Sequence, residues 1–268
     1  SMENRARFPL MVLDRIRQRV GHDLLIEYRI SGSECVPGGF EIDDCIEFLK
    51  LIQDRIDIAH ISAGVVREPR LRAITHPTGF LPEAANAYLA KAVKACPDIH
   101  IPVLTVGAFQ QPEAIERVLA NGEADIVAMA RGTIADPYTV EKIRAGRPQD
   151  IVPCIKCFHC LDYRRAATFG CSVNPTVGRE ARLPVLVPPK EETKKVVIIG
   201  GGPGGMKTAL LASQRGHRVT LFEKQRMLGG QLNDADFMSF KYDLKAYKNY
   251  LISHVEQDPN ITVQLGYE

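Results

Sequence analysis

Long apolar runs, an excess of either charge and a secretory cysteine pattern are all missing from this chain, and each absence narrows its reading. No stretch approaches eighteen consecutive apolar residues, so no segment is suited to cross a membrane as a helix. Neither charge sign dominates: 34 basic against 32 acidic residues give a formal net charge of +2, which offers nothing to nucleic acid. The opening, Ser1 to Arg7, is polar and charged and lacks the apolar segment of a signal peptide, so the expected location is the cytoplasm. Seven cysteines are an odd number, with Cys35, Cys45 and Cys96 scattered, which argues against a secreted disulfide framework and for reduced thiols. What is present, 45% hydrophobic and 25% charged residues over 268 positions, is ordinary for a soluble enzyme of one large or two modest domains.

The other four cysteines are the most informative feature. Cys154, Cys157, Cys160 and Cys171 follow the spacing C-x2-C-x2-C-x10-C. Thiolates three positions apart can turn onto one centre from a single loop, and the fourth closes a four-sulfur cage. The sulfur count leaves an iron–sulfur cluster and a zinc ion both open. His159, between two of these cysteines, can replace a thiolate or stand beside the cage.

Upstream, apolar residues at helical spacing from Phe8 to Val20 precede a strand-like run, Leu24 to Ile30. The alternation continues with helix 42–53, strand 57–62, helix 84–95, strand 102–106, helix 112–120 and strand 125–130. Four strands separated by helices imply a parallel sheet covered on both faces, as in a β/α barrel or a doubly wound fold. Polar residues or glycines then follow the strands: Arg29 to Gly32, Ser62 to Gly64, Val106 to Ala108 and Ala130 to Gly132. In β/α barrels such strand ends form the active face, and the last two commonly hold a phosphate. Gly107 would admit the phosphate to the backbone and Arg131 would fork onto its oxygens. Alternatively Gly107 and Gly132 are turn glycines and Arg131 a surface charge.

A proline-rich, charged stretch from Leu183 to Lys195 breaks the periodicity and marks a boundary. A strand, Val196 to Ile199, then runs into Gly200-Gly201-Gly202-Pro203-Gly204-Gly205, a helix from Met206 to Gln214, and a strand from Val219 to Phe222 ending in Glu223. This is the dinucleotide fingerprint in its proper context. Gly200 makes the tight turn, Gly202 admits the pyrophosphate, Gly205 lets helix and strand pack, and Glu223 accepts from a ribose. An acid at that position argues against a 2′-phosphate and so favours NADH over NADPH. The lysines between Lys241 and Lys248 read as a solvated helix face.

The order of barrel strands, C-x2-C-x2-C…C, Asn174-Pro175…Gly178-Arg179-Glu180 and a flavin-type glycine loop resembles the iron–sulfur flavoenzymes of the Old Yellow Enzyme group. That group includes the 2,4-dienoyl-CoA, enoate and enone reductases and trimethylamine dehydrogenase. The resemblance covers nearly the whole chain. It implies the C-terminal half of a TIM-type barrel binding FMN (residues 1–150), a 4Fe-4S segment and linker (151–194), and an incomplete Rossmann-like FAD/NAD(P)H domain (195–268). It places Arg29 at the FMN ring, Gly107 and Arg131 at its phosphate, and the four cysteines on the cluster. Gly200, Gly202, Gly205 and Glu223 would hold FAD, with Gly229 and Gly230 near its phosphates. By this match the chain begins after the fourth barrel strand, so the proton-donating tyrosine lies outside it. Arg67 stands where dienoyl reductases carry a histidine, and His76 is the next histidine that could face the pocket.

The function implied is transfer of electrons from NADH through FAD and a 4Fe-4S cluster to FMN, which reduces an activated carbon–carbon double bond of an enoate, enone or enoyl thioester. Two alternatives stand beside it: oxidation of an amine, as in the trimethylamine enzyme, and a non-catalytic flavin- or metal-binding fragment. The open edges of a half-barrel invite pairing with a second copy or with a separate N-terminal half.

Overall fold

The computed structural model describes residues 1–161, 169–182 and 190–267. Most of the expected linker, residues 183–189, therefore lies outside the described residues. The chain divides into two compact units, Ser1–Ala130 and Arg131–Glu268.

The first unit contains α1 (Met2–Val20), β1 (Glu27–Ser33), α2 (Ile42–Ile52), β2 (Ile58–Ala63), α3 (Arg72–Thr75), α4 (Ala87–Lys94), β3 (Val103–Val106), α5 (Pro112–Ala120) and β4 (Ile126–Ala128). The strands form one parallel sheet in the order β1-β2-β3-β4, the order of consecutive β/α units. Its core is aliphatic, with Leu49, Ile52, Ile61, Val93 and Val103 almost wholly buried. Each such side chain contributes about 1.5–3 kcal/mol. The α5 helix follows its sequence closely, because Pro112 takes the first helical position, where a missing N–H costs nothing.

The residues Phe8 to Val20 lie in α1, as their spacing predicts, with Phe8, Val12 and Ile16 73%, 41% and 37% exposed and the helix packing through Ala6 and Leu13. One expectation needs correction: strand β1 starts later than Leu24 and ends later than Ile30. Arg17 donates to the Leu24 carbonyl at 3.0 Å, and Asp57 accepts from the Ile26 amide at 2.6 Å, so the residues before Glu27 are held outside the ladder. Pairing then continues through Ser31 and Ser33, and Arg29 to Gly32 lie within the strand rather than after it.

The second unit contains α6 (Arg131–Ala135), α7 (Thr139–Arg144), β5 (Lys195–Ile199), α8 (Pro203–Gln214), β6 (Arg218–Glu223), α9 (Leu232–Ala235), α10 (Tyr242–Gln257) and β7 (Ile261–Leu265). Its three strands are parallel in the order β5-β6-β7, and Met206, Leu221, Leu251 and Val255 are its most buried side chains. Among the described residues no helix is long and apolar enough to cross a membrane.

Candidate cofactor sites

The four clustered cysteines line one pocket, together with Arg131, Ile134, Phe158 and His159. The loop that carries them winds tightly: Lys156 and Phe158, on either side of Cys157, have φ of 49° and 63°. The Lys156 amide points at the Cys154 sulfur at 3.4 Å, and the Cys157 thiol points at the Ser172 hydroxyl at 3.3 Å. Burial pushes the Cys154 thiol up to about 11 and raises Cys160 as well, while the positive charge of Arg131 works the other way at both. Without a metal such thiols keep their protons at neutral pH; a bound metal displaces them. Among the described residues no three ligand side chains are placed to hold a metal ion, although all four sulfurs share the pocket. His159 is exposed, with its ring against Gly170.

Around this loop two contacts were not legible from the motif. The Lys156 ammonium is buried against Asp243 at 3.2 Å and donates to the Tyr242 hydroxyl at 2.7 Å, so the loop is tied to the start of α10. The Arg131 guanidinium lies over the Phe158 ring, 5.5 Å from its centroid. Arg131, expected at a flavin phosphate, thus has the cysteine pocket as its surroundings within its own unit. Asn174 anchors the returning segment, donating to the Ile134 carbonyl at 3.0 Å and accepting from the Thr176 amide at 3.1 Å.

In the glycine loop most of the expected glycines have a geometric reason. Gly200 has φ 101°, a Cβ on Gly205 would stand 1.9 Å from the Gly200 carbonyl oxygen, and one on Gly230 would meet the Gly202 Cα at 2.9 Å. Gly229 has φ 118° and donates to the Gly201 carbonyl at 2.9 Å, so the second glycine pair backs the first. Gly202 caps α8, leaving the amides of that helix's first turn directed outward. Glu223 is buried, and its oxygens accept from the Gly201 amide at 2.6 Å and the Gln225 amide at 2.8 Å. The hydrogen bond from Gln225, more than that from Gly201, holds its carboxyl below the usual carboxylate range. Glu223 therefore shapes the loop as well as presenting an acid to it.

In the first unit, Arg29 is exposed in mid-strand and pairs in register with His60 of β2. His60 is buried and its Nδ1 lies 2.6 Å from Glu27; burial lowers its pKa despite that carboxylate. Gly107 packs against the backbone of Asn86, which a Cβ would meet at 3.2 Å, and Glu83 takes the amides of Gln110 and Gln111 at 3.1 and 2.9 Å. Of the weaker candidates, Arg67 is exposed, and His76 is half-buried with its Nδ1 3.0 Å from the Thr75 hydroxyl.

Residues 1–150 match the model of the NADH:flavin oxidoreductase / NADH oxidase family. The chain belongs to that family. Residues 195–255 of this NADH:flavin oxidoreductase relative also match the model of FAD dependent oxidoreductases. The chain is 38% identical over 257 residues to NADH oxidase of Thermoanaerobacter brockii, covering 94% of this chain and 38% of that protein. Two solved structures superpose on all of it. One is a 2-naphthoyl-CoA reductase (TM-score 0.90, 33% identity, 40% of that chain). The other is histamine dehydrogenase from Rhizobium sp. 4-9 (TM-score 0.89, 28% identity, 39% of that chain). The chain thus spans about two fifths of the proteins it resembles.

Proposed function

We propose that the protein is an NADH-dependent flavin oxidoreductase that reduces a carbon–carbon double bond conjugated to a carbonyl. The observation that carries this is the cysteine pocket, set in chain order between a segment of the flavin oxidoreductase family and a dinucleotide-type glycine loop. The donor set fits an iron–sulfur cluster: in a cubane each thiolate binds a different iron, so the sulfurs share a cage without converging on one ion as zinc requires. Context and donor chemistry therefore favour 4Fe-4S. The glycine cradle fits FAD, because a Cβ on Gly205 or Gly230 would collide with the loop itself. Bound flavins would supply hydride transfer, and the cluster single-electron transfer over a gap that hydride cannot cross.

The chain's own residues then have defined tasks. Cys154, Cys157, Cys160 and Cys171 hold the cluster. Gly200, Gly202, Gly205, Gly229 and Gly230 bring backbone amides to the FAD phosphates, and Glu223 keeps the loop in that shape. Arg29 presents its charge from β1 to the FMN ring, and Gly107 supports the phosphate end. The first unit is the second half of a TIM-type barrel, the second unit contains the start of a Rossmann-like domain, and the location is cytoplasmic. The substrate is a small unsaturated carbonyl compound.

Likeness to histamine dehydrogenase favours one other reading, amine oxidation. Anaerobic mixing separates the two. NADH is expected to bleach the flavin absorbance, histamine and trimethylamine to leave it unchanged, and cinnamate to restore it. Bleaching by an amine but not by NADH would replace reduction with amine dehydrogenation.

A further inference from the structure

The Cys157 sulfur has a neighbour that the set of four ligands does not account for. Ser172, the residue after the fourth cysteine, places its hydroxyl 3.3 Å from that sulfur across a separation of 15 positions. Both groups are held where they meet. Cys157 stands between two left-handed residues, Lys156 at φ 49° and Phe158 at φ 63°, which set the direction of its side chain. Ser172 precedes Val173, 2% exposed in the core of the second unit, and Asn174, which donates to the Ile134 carbonyl at 3.0 Å. The hydroxyl is thus presented by anchored backbone, and little freedom is lost in making the bond.

Metal binding reverses the direction of that bond. A free Cys157 thiol has a proton to give, but a ligating thiolate has none and can only accept, so the Ser172 hydroxyl becomes the donor. We propose that Ser172 is a positioning residue acting through Cys157: its hydroxyl donates to the Cys157 thiolate of an iron–sulfur cluster and raises the reduction potential of that cluster. One-electron reduction adds negative charge to the centre and its sulfurs, so the hydrogen bond is stronger in the reduced form than in the oxidised one. No bond breaks in the step, and the proton stays on the Ser172 oxygen. The inference rests on the cluster reading above but goes beyond it, assigning a residue that ligates nothing and carries no charge.

Anaerobic titration of the holoprotein with dithionite as the electron donor, followed by the electron paramagnetic resonance signal of the reduced cluster, measures the potential. Ser172→Ala removes the donor without changing charge. It is expected to raise the oxidised-to-reduced ratio at the native midpoint about threefold, since water replaces part of the lost bond at this exposed position. That ratio is a fall of about 30 mV for one electron. Ser172→Thr keeps the hydroxyl and the native midpoint, while Ser172→Val, its match in shape, falls with Ser172→Ala. Native midpoints in both Ser172→Ala and Ser172→Val overturn the proposal. So does a cluster that forms with serine or threonine and with neither alanine nor valine, because the hydroxyl then holds the cluster instead of tuning it. Iron and acid-labile sulfide in the native protein are measured first. Their absence removes the cluster and this proposal together, whereas native iron with unshifted midpoints removes only the role given to Ser172.

Discussion

Replacing Gly205 by alanine puts the glycine-loop geometry to a quantitative test. The added Cβ would stand 1.9 Å from the Gly200 carbonyl oxygen and 3.1 Å from its carbon. That oxygen belongs to backbone at the end of β5, where the Gly200 amide is already bonded to the Phe222 carbonyl at 2.7 Å, so it cannot swing aside like a side-chain tip. The contact must widen from 1.9 Å to at least 3.0 Å, which forces β5 and α8 apart. Overpacking of this kind costs about 1–3 kcal/mol. At roughly 4 °C per kcal/mol the unfolding midpoint of the second unit falls by about 4–12 °C. Binding of FAD, followed by quenching of its fluorescence, weakens by about tenfold for each 1.4 kcal/mol of the strain borne by the bound loop. Gly204→Ala is the control: nothing lies within 4 Å of its Cβ, and its place in the first turn of α8 lets alanine gain up to about 0.5 kcal/mol. Equal loss in both variants, or none in Gly205→Ala, would refute the close-approach argument.

Three further outcomes follow from the geometry. Cys157→Ser should lower iron and acid-labile sulfide and stop NADH-driven enoate reduction while FMN remains bound in the holoprotein; sustained turnover would show that the cysteine pocket lies off the reaction. Asp243→Ala strands the buried Lys156 ammonium and should cost about 3–5 kcal/mol, read from denaturant midpoints, while the double variant Lys156→Met with Asp243→Leu, which removes both charges, should cost less. Burial holds the folded-state pKa of His60 below the ordinary imidazole value of 6.5, so the unfolded chain binds more protons in acid. The first unit should therefore lose stability as pH falls from 7 through 6.5 towards the lowered folded pKa, and His60→Gln should flatten that slope; an unchanged slope would show that His60 titrates normally.

Much of the architecture was legible because it is encoded locally. Helix 112–120 has proline at its first position and Asn121 at its end, and the glycine loop announces itself because Gly200 needs a positive φ and Gly205 a close approach within a few residues of it. Spacing in α1 likewise shows that Phe8, Val12 and Ile16 share a helix face, but not what that face meets. The start of β1 depended on Arg17 and Asp57, whose side chains reach Leu24 and Ile26 from other elements. The tie between Lys156 and Tyr242 spans 86 residues, and no local pattern carries such a contact. Arg131 was noticed for its charge, but its partner ring was hidden among the cysteines that drew attention first.

Lys156 and Phe158 also show what the cysteine loop gives up for its side chains. At φ 49° and 63°, each loses about 1–2 kcal/mol that glycine would recover. Glycine at position 156 would relieve that strain but leave the buried Asp243 carboxylate without its ammonium, so there the relaxed backbone belongs to the less stable protein.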